Sequence, residues 1–163
     1  MNIILFKKSE LDTKNVILED DRARHIVKIL RSKPGDTVKI GVIDGKTGSG
    51  LIIELSKKQP YRVVLDVSLI EEEIEKPEMD ILLAMPRPIM LKRIFSQATE
   101  LGVGAFHIVN AKRVEKSFWS SNLIDPVNYR QHLRKGLEQA VDTRMPEVYF
   151  HKGFKPFLEK EFP

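Results

Sequence analysis

The hydrophobic period of this chain changes once, at the acidic, proline-containing stretch EEEIEKPE (71–78). A strand repeats its buried face every second residue and a helix about every 3.6, so a switch of period separates two differently built parts. Ahead of it lie the short runs IILF (3–6), NVIL (15–18), TVKIGVI (37–43), GLIIEL (50–55) and YRVVLDVSLI (61–70), rich in β-branched residues. Turn chemistry separates them at Pro34-Gly35-Asp36, Asp44-Gly45, Gly48-Ser49-Gly50 and Gln59-Pro60. Several short strands at near-regular spacing predict a small β-barrel over residues 1–70. One helix interrupts it. Asp20 or Asp21 can cap its start, and Ala23, Ile26, Val27 and Leu30 fall on one buried face.

Beyond 71–78, read as an acidic linker, strand and helix alternate. MDILLAM (79–85) is a short continuous apolar run, as a strand buried on both faces of a parallel sheet requires. Pro88 suits the first turn of the next helix, whose apolar face is Leu91, Ile94, Phe95, Ala98 and Leu101 and whose stop is Gly102. AFHIV (105–109) is a second strand. Asp125-Pro126 opens another helix with Tyr129, Leu133, Leu137, Ala140 and Val141 as its buried stripe, and PEVYFH (146–151) is a third strand. This alternation predicts an α/β domain over 79–163, with too few strands to look complete.

The 163 residues suffice for one ordinary domain or two small ones. No apolar run approaches the length of a membrane span. The opening MNIILFKKSE has its apolar residues ahead of its lysines, the reverse of a secretory signal. Cysteine is absent, which rules out disulfides and thiolate metal sites and fits a cytoplasmic setting. His25, His107, His132 and His151 form no metal-binding spacing, so no metal is expected. There is no GxSxG elbow and no GxGxxG after a strand. GKTGSG (45–50) lacks the phosphate-loop spacing and lies between strands, where a hairpin turn accounts for it.

The net charge of +4 matters less than its placement. Arg22, Arg24, Lys28, Arg31 and Lys33 crowd residues 22–33 without an acid, while six acids face only Lys76 over 71–80. Arg24, Lys28 and Arg31 line one stripe of the helix, with His25 set apart. They suit RNA phosphates, and an ordinary solvated face suits them equally. Arg113 lies just past the second α/β strand, where parallel sheets bind ligands. Phe118 and Trp119 suit either base stacking or core packing. Glu100 and Gln139, near helix ends, read as caps or surface groups.

In order, His25, Leu30-Arg31, Gly35-Asp36, Asp44-Gly45, Lys92, Ala98-Thr99-Glu100-Leu101-Gly102-Val103, Arg113, Glu138-Gln139, Arg144 and Pro146 resemble the ribosomal RNA small-subunit methyltransferase E family. The resemblance implies a PUA-like RNA-binding barrel followed by a SPOUT-type α/β knot domain that pairs as a homodimer. It implies transfer of a methyl group from S-adenosylmethionine to ring nitrogen 3 of a uridine in 16S rRNA of the small ribosomal subunit. On that reading Arg24, Lys28, Arg31 and His25 hold RNA, and Arg113 stabilises the uridine anion as the catalytic residue. Two departures stand out. Val141-Asp142 replaces the family's small and basic pair, and the family's GPEGG and LRTETA-like segments, which build the knot and the cofactor pocket, are not in this sequence. The expectation is therefore a fragment whose cofactor site is incomplete. The alternative is a non-catalytic RNA-binding or dimerisation module.

Overall fold

The computed structural model describes residues 1–11, 15–70 and 79–160, and the expected linker at 71–78 lies outside the described residues. The chain forms two compact units, Met1–Ile74 with Val141–Arg144, and Glu75–Ala140 with Met145–Pro163.

In the first unit β1 (Ile4–Phe6), β2 (Asn15–Leu18), β3 (Thr37–Val42), β4 (Thr47–Ser56) and β5 (Arg62–Ile70) form a five-stranded sheet in the order β1-β3-β4-β5-β2. β1 pairs with β3 in parallel and the remaining pairs are antiparallel, which makes the sheet mixed. Inward residues meet across strands, Val16 opposite Leu65 and Leu18 opposite Val63, so the period-two pattern becomes one continuous core with Phe6, Ile26, Ile40 and Ile52.

Gly48-Ser49-Gly50 is not a turn. The hairpin closes at Ile43–Lys46, and residues 48–50 already pair within β4. A Cβ at Gly48 would lie 2.1 Å from the Ser68 carbonyl oxygen, so the glycine admits a close backbone approach inside a strand. The β4–β5 connection carries a cis Gln59–Pro60 bond.

The interrupting helix is α1 (Asp21–Arg24), continued by a wide π-helical turn over His25–Ile29. Asp20 caps it by accepting from the Arg22 N–H at 2.9 Å. Ala23 and Ile26 are buried as expected, but Leu30 is not. The Leu30 N–H reaches back to the His25 carbonyl at 3.0 Å and Arg31 turns left-handed with φ 54°, so Leu30 sits on the closing turn rather than on the buried face.

In the second unit β6 (Asp80–Ala84), β7 (Ala105–Val109) and β8 (Glu147–His151) form a parallel sheet in that order, with α2 (Pro88–Glu100) and α3 (Pro126–Ala140) packed on each other. Phe95, Phe106, Ile108, Tyr129 and Leu133 make the core between sheet and helices, with Phe95 edge-on to Phe106 at 5.1 Å. Gly102 ends α2 at φ 84°. Its N–H bonds to the Thr99 carbonyl and that of Val103 to Ala98, the paired closure that leaves few helix carbonyls unmet.

Three expectations fail here. Leu101, expected on the apolar face of α2, is 84% exposed because it caps the helix beyond its last buried turn. β6 is not buried on both faces, because Asp80, Leu82 and Ala84 are exposed on the side away from Ile81 and Leu83. Ala140 is also exposed, and Val141 leaves the helix left-handed at φ 62°. The chain then turns into the first unit. Thr143 Oγ1 donates to the Gly45 carbonyl and the Asp44 N–H donates to the Thr143 carbonyl, both at 2.8 Å. Asp142 accepts from the Thr143 and Arg144 N–H groups and from the Arg144 guanidinium. The Val141-Asp142 departure thus builds a turn. Burial alone would raise the Asp142 carboxyl, but these donors win and hold it below its usual value. The last helix, α4 (Phe154–Lys160), buries Phe157 against the His107 and His151 rings, whose Nδ1 and Nε2 atoms lie 3.1 Å apart.

Candidate RNA interface

The helix that begins at Asp20 sorts its cations by depth. Arg22, counted in the sequence with the basic run, is buried. Its guanidinium donates to Asp20, to Glu10 at 2.6 Å and to the Leu5 carbonyl at 3.0 Å, and it stands 4.9 Å from the centre of the Phe6 ring. Burial by itself would lower the guanidinium, but the hydrogen bonds and charges of Asp20 and Glu10 outweigh it and raise it. Arg22 is therefore a structural ion and is unavailable to a ligand.

Arg24 and Lys28, four residues apart, remain on the surface and make no ion pair among the described residues. Two neighbouring acids are spent elsewhere, Asp20 on Arg22 and Glu19 on Arg62 at 3.6 Å, while Asp21 lines the groove beside Arg24. An open groove of about 610 Å³ runs beside this face, lined by Asp21, Arg24, Lys28, Ile29, Gln59 and Tyr61 among others. Tyr61 packs its ring against the core of the unit, and Lys28 Nζ lies 5.6 Å above it. His25 borders the same groove and is also structural, since its Nε2 bonds the Met1 carbonyl at 3.1 Å. That carbonyl only accepts, so Nε2 carries the proton.

The structure thus brings Arg24, Lys28 and His25 to one groove. Arg31 does not line it and stands exposed on the closing turn. The sequence reading missed Tyr61 and Gln59. The only local signal was an aromatic residue after Gln59-Pro60, and what gives it meaning is the approach of the β4–β5 connection to the helix.

Arg113 belongs to the second unit. It is exposed in the turn after β7, closed by the Val114 N–H on the Ala111 carbonyl at 3.0 Å. Phe118 and Trp119 are half-buried and pack against the core of that unit, Trp119 in an edge contact with Phe150, so core packing accounts for both. Glu100 and Gln139 lie exposed at helix ends. Among the described residues no group of three His, Cys, Asp or Glu side chains is placed to hold a metal ion, and no helix is long and apolar enough to cross a membrane.

Residues 73–162 match the model of an RNA methyltransferase domain, and residues 18–64 that of an RNA methyltransferase PUA domain. The chain is 31% identical to ribosomal RNA small subunit methyltransferase E of Treponema pallidum over 98% of its own length and 60% of that protein's. It is 30% identical to ribosomal RNA small subunit methyltransferase E 1 of Borreliella burgdorferi over 98% of its length and 65% of that protein's. It therefore spans about three fifths to two thirds of these relatives. Among solved structures, the ribosomal RNA small subunit methyltransferase E of Neisseria gonorrhoeae bound to S-adenosyl methionine superposes with a TM-score of 0.69 at 19% identity, covering 99% of this chain and 66% of that one. A methyltransferase from Legionella pneumophila in complex with the same cofactor gives 0.69 at 18% identity, covering 98% and 66%. These two likenesses establish the shared fold.

Proposed function

The chain belongs to the RNA methyltransferase family, and we propose that it serves S-adenosylmethionine-dependent methylation of ring nitrogen 3 of a uridine in 16S rRNA. The observation that carries this reading is the match of residues 73–162 to the methyltransferase domain, on a parallel sheet whose β7 runs into Arg113. The first unit supplies the RNA contact. Arg24, Lys28 and Arg31 meet phosphates, each adding sequence-independent affinity by releasing counterions, and His25 fixes the N-terminal strand beside them. The enzyme works in the cytoplasm as a homodimer.

Uridine nitrogen 3 carries a proton and becomes a nucleophile only after losing it. A guanidinium near O2 or O4 stabilises the resulting anion, and this is the role assigned to Arg113. S-adenosylmethionine supplies the methyl group. We infer that its cradle is not complete in the described residues. Asn110 and Arg113 are exposed after β7, and the buried polar atoms without a partner, Thr99 Oγ1 and Trp119 Nε1, are enclosed by protein. The chemistry assigned to this chain's own residues is therefore confined to the RNA. The same observation favours a second reading, an RNA-binding module without turnover.

The test is to incubate the chain with small ribosomal subunits lacking the modification and labelled S-adenosylmethionine, then digest the rRNA and identify the nucleosides by mass spectrometry. N3-methyluridine supports the first reading, and a methyl group on another atom overturns its specificity. RNA binding without methyl transfer, in a calorimetric titration that also shows no S-adenosylmethionine uptake, selects the second. In either case replacing Arg24, Lys28 and Arg31 together with Glu should weaken RNA binding by about 100-fold or more.

A further inference from the structure

We propose that the groove beside α1 is a subsite for one unpaired nucleotide of single-stranded RNA, its base stacked on Tyr61 and its phosphate held by Arg24 and Lys28. This deepens the reading of the first unit as RNA-binding and rests on it. A patch that only attracts phosphates needs cations. This one adds a flat ring, an amide and a concave floor.

The groove is open to solvent and, at about 610 Å³, has room for one nucleotide. Tyr61 is half-buried and anchored by core packing, so it offers a fixed platform rather than a swinging one. Gln59 is exposed beside it, with a donor and an acceptor to meet a base edge. Asp21 lines the same groove and its carboxylate can accept from a base N–H. The exposed side chain of Ile29 gives the sugar an apolar contact.

Lys28 already lies over the ring, 5.6 Å from its centre. An exposed cation–π contact is worth only about 2- to 5-fold in equilibrium, whereas stacking a base on an aromatic side chain is worth about 5- to 150-fold. The base therefore wins the ring, and the lysine turns to the adjacent phosphate. Paired bases in a duplex keep their faces covered, so the occupant is an unstacked nucleotide.

The test measures affinity of the intact chain for a labelled short oligouridylate by fluorescence anisotropy across salt concentrations. Tyr61→Leu should weaken binding about 5- to 150-fold with the salt slope unchanged, because stacking releases no counterions, and Tyr61→Phe should stay within about 2-fold. Lys28→Gln and Arg24→Gln should each lower the slope by about 0.7. An abasic site walked through the oligonucleotide should reproduce the Tyr61→Leu loss at one position on the unaltered chain, a readout that survives even if Tyr61→Leu fails to fold. On a folded Tyr61→Leu chain that abasic site should cost nothing further. If no abasic position weakens binding while the Gln variants still lower the slope, the subsite is overturned and the RNA-binding reading stands. If the unaltered chain binds at no salt concentration, that reading and the subsite fall together.

Discussion

The two units meet the problem of covering a sheet differently. In the first, five strands carry Val, Ile and Leu on an inward face, and ion pairs around Arg22 seal the helix end over Phe6. In the second, β7 is buried almost throughout, while its neighbours β6 and β8 show Leu82 and Tyr149 to solvent at 39% and 42% exposure. Antiparallel sheets tolerate one wet face, whereas parallel sheets of this kind occur with both faces covered. The α2–α3 side is closed by aromatic packing. The opposite side is covered in part by Phe157 of α4. The first unit thus relies on cross-strand pairs and a buried ion cluster, and the second on a helix-covered aromatic core.

The sharpest way to break this contrast is to empty the aromatic core. Phe95→Ala should cost about 3–5 kcal/mol, seen as loss of hydrogen-exchange protection in β7 with protection in β4 unchanged. Equal loss in both strands would show that the units unfold as one. Next comes Arg22→Ala, which leaves Glu10, Asp20 and the Leu5 carbonyl without their shared donor. Glu10 and Asp20 are partly exposed, so the cost should be about 2 kcal/mol rather than that of a fully buried pair, appearing first in β1 and β3 amides and in a lower urea midpoint.

Val141 is β-branched and left-handed at φ 62°. Val141→Gly should stabilise the chain by about 0.5–1 kcal/mol by relieving that conformation, and a lower thermal midpoint would show that its side-chain packing outweighs the strain. The smallest effect concerns pH. Partial burial, then Lys135 and Lys92, lower the His132 imidazole below its usual 6.5. Between the folded and unfolded values the unfolded chain binds more protons. The contribution to stability is therefore complete above about pH 6.5 and declines as pH falls through it. Stability measured from pH 8 to 5 should show this decline, and His132→Gln should flatten it.

Much of this architecture could be read without coordinates, and the reason is local. Proline at the start of α2, Gly102 at its end, the Asp20 cap and the switch from alternating to helical period depend on residues within one turn or one strand. The failures share a cause as well. Gly48-Ser49-Gly50 reads as a turn until Ser68 is known to pass beside it, and the run 79–85 reads as doubly buried until β6 is seen to leave Asp80, Leu82 and Ala84 exposed on one face. Arg22, Arg24, Lys28 and Arg31 are equivalent as letters. Glu10, Asp20 and the Leu5 carbonyl make the first a structural ion and leave the others to solvent.

The sequence by itself determined the order of the main strands and helices and the family, because hydrophobic period, capping and short motifs are written along the chain. Only the tertiary structure decided that Tyr61 and Gln59 belong beside Arg24 and Lys28, and that Thr143 closes on Gly45. Those relations join residues more than 30 positions apart, and a through-space contact between distant segments leaves no period in the sequence that carries it.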